Sequence, residues 1–171
     1  MKKNIKRRVI KYKEPDDSFN SNIFQEPEVH YATMQSLLGG NKVIAIQLQN
    51  EFDLMQLTRN GLQLAAVIRV AQFLNITLDK MANILHISPR TVQRKKDTDV
   101  LSPYSSEQAI EVAEVIAKGM EIFRDREKFN KWMQSEIRAL NFQKPIDMLD
   151  TSFGTKLILQ VLGRIEHGVY S

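Results

Sequence analysis

Residues 77–96 read TLDKMANILHISPRTVQRKK, and how this stretch is read decides the fold. Apolar Leu78, Met81, Ala82 and Leu85 fall at i, i+3, i+4 and i+7, the spacing of one face of a short helix. Thr77 is suited to cap it, because its hydroxyl can accept from a free first-turn N–H. His86 and Ile87 form the turn. Ser88 followed by Pro89 is a second start signal, since proline at the first helical position loses no hydrogen bond. The second helix has one inward residue, Val92, surrounded by Arg90, Thr91, Gln93, Arg94, Lys95 and Lys96. An apolar anchor with a face of Arg, Gln and Thr is what reading a DNA major groove requires. Arg matches guanine and Gln matches adenine through paired hydrogen bonds. The DNA-binding set is Ser88, Arg90, Thr91, Gln93, Arg94, Lys95 and Lys96, with the last two assigned to phosphate. Small Ala82 sits where the helices approach closely. Two positions depart from the usual pattern. His86 stands where glycine is usual, and a left-handed histidine costs about 1 kcal/mol. Lys95 stands where an apolar residue is common.

On the N-terminal side, Leu64, Val67, Ile68, Ala71 and Leu74 predict a supporting helix over 62–74. Residues 43–57 mix periods: Val43, Ile44 and Ile46 suit a strand, whereas a helix near 49–59 closes at Asn60-Gly61. A short helix over 34–38 ends at Gly39-Gly40. Residues 1–30 are polar, with Pro15 and Pro27, and read as a disordered arm. Its first 13 residues hold seven Lys and Arg and no acid, so they carry +7 of a net +4 and the remainder sums to −3. That charge suits phosphate, as does the second helix.

On the C-terminal side, Ser102-Pro103, or Ser105 with Gln108, caps a helix to about Gly119 with Ile110, Ala113, Ile116, Ala117 and Met120 inward. A further helix over 125–135 carries Phe129, Trp132 and Met133 on one side. Residues 141–144 are a polar linker, and Pro145 opens a short turn. Asp150 and Thr151 are cap candidates for a last helix over 152–167, with Leu157, Ile158, Val161, Leu162 and Ile165 on one face. Gly154 and Gly163 lie inside it. Glycine there costs up to about 1 kcal/mol relative to alanine, so a close backbone approach is expected at both.

The chain of 171 residues has room for one domain with a sizeable core, or two small ones. Hydrophobic residues make up 43% and charged residues 26%, ordinary values for a globular protein. No apolar run reaches the roughly 18 residues of a membrane helix, and no apolar segment follows the basic start as a secretory signal requires. The absence of cysteine excludes disulfides and thiol catalysis and fits a reducing cytoplasm. The glycines form no phosphate loop, and His30, His86 and His167 form no metal-ligand pair. Neither an enzyme nor a cofactor or metal site is expected.

The expected fold is all-α. The segments GLQLAAVIRVAQFLN at 61–75 and ISPRTVQRKK at 87–96 resemble the helix–turn–helix half of Xre-type antitoxins. KPIDMLDTSFGTKLILQVLGRIEHGVYS at 144–171 is similar to the Xre/MbcA/ParS toxin-binding domain that follows it. The likeness runs from about residue 50 to the end. It leaves out the arm over 1–30 and implies a helix–turn–helix domain over 31–122 and a small helical toxin-binding domain over 123–171. It further implies a type II antitoxin that covers the active site of a RES-domain, NAD-degrading toxin and represses its own operon at operator DNA, as a homodimer or as a larger assembly with the toxin. Carried onto this chain, the toxin contact points to Asp150, Thr151, Gly154, Arg164, Glu166, His167, Gly168, Val169, Tyr170 and Ser171. The alternative is a stand-alone helix–turn–helix regulator without a toxin partner.

Overall fold

The longest helix follows from a local signal. Ser102 accepts from the Ser105 N–H at 3.2 Å and Pro103 occupies the first turn, which starts α6 at Pro103–Phe123. A computed structural model describes residues 28–168, and the other helices are arranged about α6. They are α1 (Glu28–Leu37), α2 (Glu51–Asn60), α3 (Leu64–Phe73), α4 (Leu78–Ile84), α5 (Pro89–Arg94), α7 (Arg126–Met133) and α8 (Ser152–Glu166). Among the described residues there is no strand, only isolated bridges between Gln63 and Val100 and between Ile137 and Gln143.

Helix α6 touches α1, α2, α3, α7 and α8. Ala109, Val112, Ala113, Val115, Ile116 and Ala117 are all fully buried, as a helix surrounded by others demands. Three buried polar side chains in its first two turns each serve a backbone group elsewhere. The Leu62 N–H donates to Ser106 Oγ at 2.8 Å, Ser105 Oγ donates to the Leu85 carbonyl at 3.2 Å, and Gln108 Nε2 donates to the Leu149 carbonyl at 2.7 Å. Gly119 leaves room for Phe129 of α7, whose ring would lie 2.1 Å from an added Cβ.

Helix α3 has no side-chain cap. Instead the carbonyls of Asp97 and Asp99 accept from the Ala65 and Leu64 N–H groups, each at 2.9 Å. This returning segment crosses so close to Gly61 (φ 80°) that a Cβ there would lie 2.5 Å from the Leu101 carbonyl. At the other end, Asn130 Nδ2 and Arg126 Nε of α7 donate to the Phe73 carbonyl at 2.8 and 3.0 Å.

Two expectations shift at the N-terminal side. Helix α1 starts at Glu28, six residues before the expected 34, because Tyr31, Met34 and Leu38 form one inward row and His30 Nδ1 lies 2.8 Å from Glu121 Oε1 on α6. Residues 28–30 of the expected arm therefore belong to a helix, and the rest of the arm lies outside the described residues. Residues 43–48 form no strand. Gln35 takes the role of a ladder partner: its Oε1 accepts from the Leu48 N–H at 2.9 Å and its Nε2 donates to the Ile46 carbonyl at 3.3 Å.

The two glycines of α8 differ. A Cβ on Gly154 would lie 1.9 Å from the Met148 carbonyl oxygen, whereas nothing lies within 4 Å of one on Gly163. The close approach expected at both positions exists only at Gly154, since Gly163 falls on the open side of the helix. Gly154→Ala is therefore expected to destabilise the fold by about 1–3 kcal/mol or more. Gly163→Ala is expected to stabilise it by up to about 1 kcal/mol. Urea unfolding of the two variants checks the opposite signs.

Candidate DNA and partner interfaces

The helix pair at 77–96 forms as its residues dictate. Thr77 Oγ1 accepts from the Lys80 N–H at 3.1 Å and starts α4, which buries Met81, Ala82 and Ile84. Helix α4 ends on paired backbone bonds: Ile87 N–H donates to the Ala82 carbonyl at 2.9 Å and His86 N–H to the Asn83 carbonyl at 3.1 Å. This geometry places His86 in the left-handed region, φ 54°. Ser88 Oγ accepts from the Thr91 N–H at 3.1 Å and lies 2.7 Å from Thr91 Oγ1, which starts α5. Val92 is 3% exposed and holds the short helix to the core.

Around that anchor, Arg90, Thr91, Gln93, Arg94 and Lys96 are exposed. Arg90, Gln93 and Arg94 share one face at i, i+3 and i+4. Gln93 Nε2 rests 3.4 Å from Asp79 Oδ1, a long contact that leaves the amide available. Ser88 and Thr91 spend hydroxyl bonds on the helix start. Lys95 does not project with the others. It is half-buried, and its Nζ donates to the Val100 carbonyl at 3.3 Å, which accounts for a lysine where an apolar residue is usual. Lys96 keeps its side chain exposed while its N–H donates to Asp99 Oδ2 at 3.0 Å.

The second surface is α8. Thr151 Oγ1 accepts from the Gly154 N–H at 3.1 Å, so this hydroxyl is committed to the helix start, and Gly154 is committed to the Met148 carbonyl. Asp150 is exposed, as are Arg164, Glu166, His167 and Gly168 at the far end. Glu166 Oε2 lies 2.8 Å from Lys118 Nζ, which also lies 3.2 Å from Glu121 Oε2. Val169, Tyr170 and Ser171 lie outside the described residues. The structure thus divides the candidate set between the two ends of one helix.

Between those ends runs a stripe that the candidate set omits. Phe153 is 82% exposed and Leu157 46% exposed, on the same side as Lys156, Gln160 and Arg164. Lys156 Nζ stands 6.0 Å from the centre of the Phe153 ring. Leu157 was expected inward. The core face is instead Ile158, Val161 and Leu162, one position round the helix. The signal available in the sequence was Phe153 itself, an aromatic out of phase with the inward set. Among the described residues no cluster of His, Asp or Glu could hold a metal ion, and no helix is long and apolar enough to cross a membrane.

Residues 53–114 match the model of the antitoxin Xre-like helix-turn-helix domain, and residues 118–168 match that of the antitoxin Xre/MbcA/ParS C-terminal toxin-binding domain. The chain belongs to the Xre/MbcA-type antitoxin family. An Xre antitoxin of Photorhabdus laumondii is 43% identical over 47 residues, covering 28% of this chain and 32% of that protein. An Xre antitoxin of Yersinia enterocolitica is 30% identical over 87 residues, covering 50% of this chain and 59% of that protein. The chain therefore spans about a third and about three-fifths of these curated relatives. The crystal structure of the Mycobacterium tuberculosis MbcT–MbcA toxin–antitoxin complex contains a chain 25% identical, with a TM-score of 0.48, over 63% of this chain and 97% of its own length. The two family domains of this antitoxin-family chain meet inside α6, between residues 114 and 118.

Lys118 shows what holds the end of α8. Burial works against its charge, but hydrogen bonds to Glu166 and Glu121 outweigh burial and raise its pKa above the ordinary 10.5. A raised lysine pKa means that the folded state binds the proton more tightly. The resulting stability is complete below 10.5 and is lost as pH rises through the folded value. Lys118→Met is therefore expected to lower the urea midpoint at neutral pH, and the gap to the parent protein is expected to shrink as pH climbs past 10.5.

Proposed function

We propose that this chain is a type II antitoxin that neutralises a RES-domain toxin by covering its active site and represses its own operon through α5. The supporting observation is that one helix, α6, packs against both units: Ser105 holds the end of α4, Gln108 holds the approach to α8, and Lys118 holds the end of α8. The proposed division follows that helix, with DNA reading in residues 31–122 and toxin binding in 123–171. Arg90, Gln93 and Arg94 reach base edges, Thr91 and Ser88 fix the helix start near the backbone, and Lys96 meets phosphate. Lys95, bonded back to the Val100 carbonyl, contributes less. One such unit reads few base pairs, so a dimer on paired half-sites is expected in the cytoplasm.

For the toxin, the outer stripe of α8 adds to the end residues. Phe153, Leu157 and Arg164 are the residue types that anchor interfaces, an aromatic and an arginine with apolar support. Arg164, His167 and Gly168, with Val169, Tyr170 and Ser171 beyond them, form the segment proposed to enter the toxin's active site. Asp150 and Glu166 border it. Thr151 and Gly154 serve by shaping the start of α8.

Co-expression with the product of the adjacent gene, followed by co-purification and measurement of cellular NAD, tests the whole reading. A neighbour that neither binds nor depletes NAD would refute the RES assignment. Arg90→Ala, Gln93→Ala and Arg94→Ala are each expected to lower specific DNA affinity by about 1–3 kcal/mol in gel-shift titrations, with toxin binding unchanged. Phe153→Ala is expected to weaken toxin binding by about 2 kcal/mol or more. Its melting temperature should stay within error, because the ring is exposed.

A further inference from the structure

The turn residue His86 is held in a left-handed backbone that glycine would occupy without strain. Its ring accounts for its presence. His86 Nε2 donates to the carbonyl of Asp150 at 2.7 Å, across 64 positions of sequence. Tyr104 at the start of α6 flanks the ring, with centroids 5.9 Å apart. Asp150 immediately precedes Thr151, the residue that starts α8. Two residues after His86, Ser88 starts α5. A single side chain thus bridges the starts of the DNA-reading helix and of the helix assigned to the toxin.

The same seam carries two further ties. Lys80 Nζ of α4 lies 2.7 Å from Asp147 Oδ1, and buried Gln108 Nε2 holds the Leu149 carbonyl. The Lys80 pair is exposed and contributes little. The Gln108 bond comes from α6 and does not move with the turn. Of the three, only the His86 bond links the turn itself to the segment before α8.

We propose that His86 is a positioning residue that couples the two surfaces: ordering of the turn by DNA orders the start of α8, and occupation of α8 in return favours the DNA-reading form of the turn. Anything that binds the closed seam and not the open one stabilises both starts together, and the coupling is the same in both directions. The proposal rests on the DNA reading above, and its test separates the two.

The full-length chain is followed by hydrogen exchange with and without a duplex of the promoter preceding its own gene. The reporters are the Gly154 and Thr155 amides, which bond to Thr151 Oγ1 and to the Thr151 carbonyl. In the parent protein, DNA is expected to protect residues 88–96 and also to slow exchange at Gly154 and Thr155 by about fivefold or more. In His86→Gly and His86→Asn, which suit the left-handed turn but cannot make the bond, protection at 88–96 should persist while the effect at 154–155 falls to none. Thermal unfolding without DNA controls for a merely structural role, because both variants relieve backbone strain. Equal slowing at 154–155 in parent and variants, or none in the parent despite protection at 88–96, overturns the coupling alone. No protection at 88–96 in the parent overturns the DNA reading and the coupling with it.

Discussion

Ser105, Ser106 and Gln108 occupy two turns of α6 and are buried with their side chains committed to Leu85, Leu62 and Leu149. Each partner is a backbone group outside any regular ladder, and each would be stranded without its side chain. An unpaired buried donor or acceptor costs about 1–3 kcal/mol. The three bonds therefore fix where α3 begins, where α4 ends and where the approach to α8 runs. The positions of the DNA-reading and partner-binding helices are set by a helix that neither DNA nor partner is proposed to touch.

This explains how a six-residue helix can serve as a reader. Helices shorter than about 12 residues are marginal by themselves. Helix α5 forms because Ser88 caps it, Val92 roots it, and the turn before it closes on the Ala82 and Asn83 carbonyls. With its shape supplied from behind, α5 keeps the side chains of Arg90 and Arg94 exposed.

The helices were legible because their signals are local. Thr77, Ser88, Ser102 and Thr151 were readable as caps and act as caps, and the inward rows of α3 and α6 follow helical spacing. Other features rest on residues far apart in sequence. Backbone carbonyls of Asp97 and Asp99 cap α3, so no cap residue marks it. Lys95 folds back onto the Val100 carbonyl, and His86 is explained only by Asp150. The rotation of Leu157 to the outside was hidden because Leu157, Ile158, Val161 and Leu162 are all apolar, and composition alone does not say which side α6 occupies. The start of α1 was hidden by its polar flank, although Tyr31, Met34 and Leu38 form the row that defines it. The candidate residues at the start of α8 were found as a group, but Thr151 and Gly154 turned out to shape the helix, while Phe153 beside them faces outward.

The meeting of the two family units within α6 imposes a phase relation. Each residue of an α-helix advances the chain by about 1.5 Å and turns it by about 100°. One residue inserted between 114 and 118 would swing the whole C-terminal unit by about that angle about the α6 axis. His86 would face away from Asp150, and Gln108 would lose the Leu149 carbonyl. Lengthening a loop such as 141–144 would do neither. Recombining such antitoxin halves thus requires matched helical register at the graft point, a demand that flexible linkers between domains do not make.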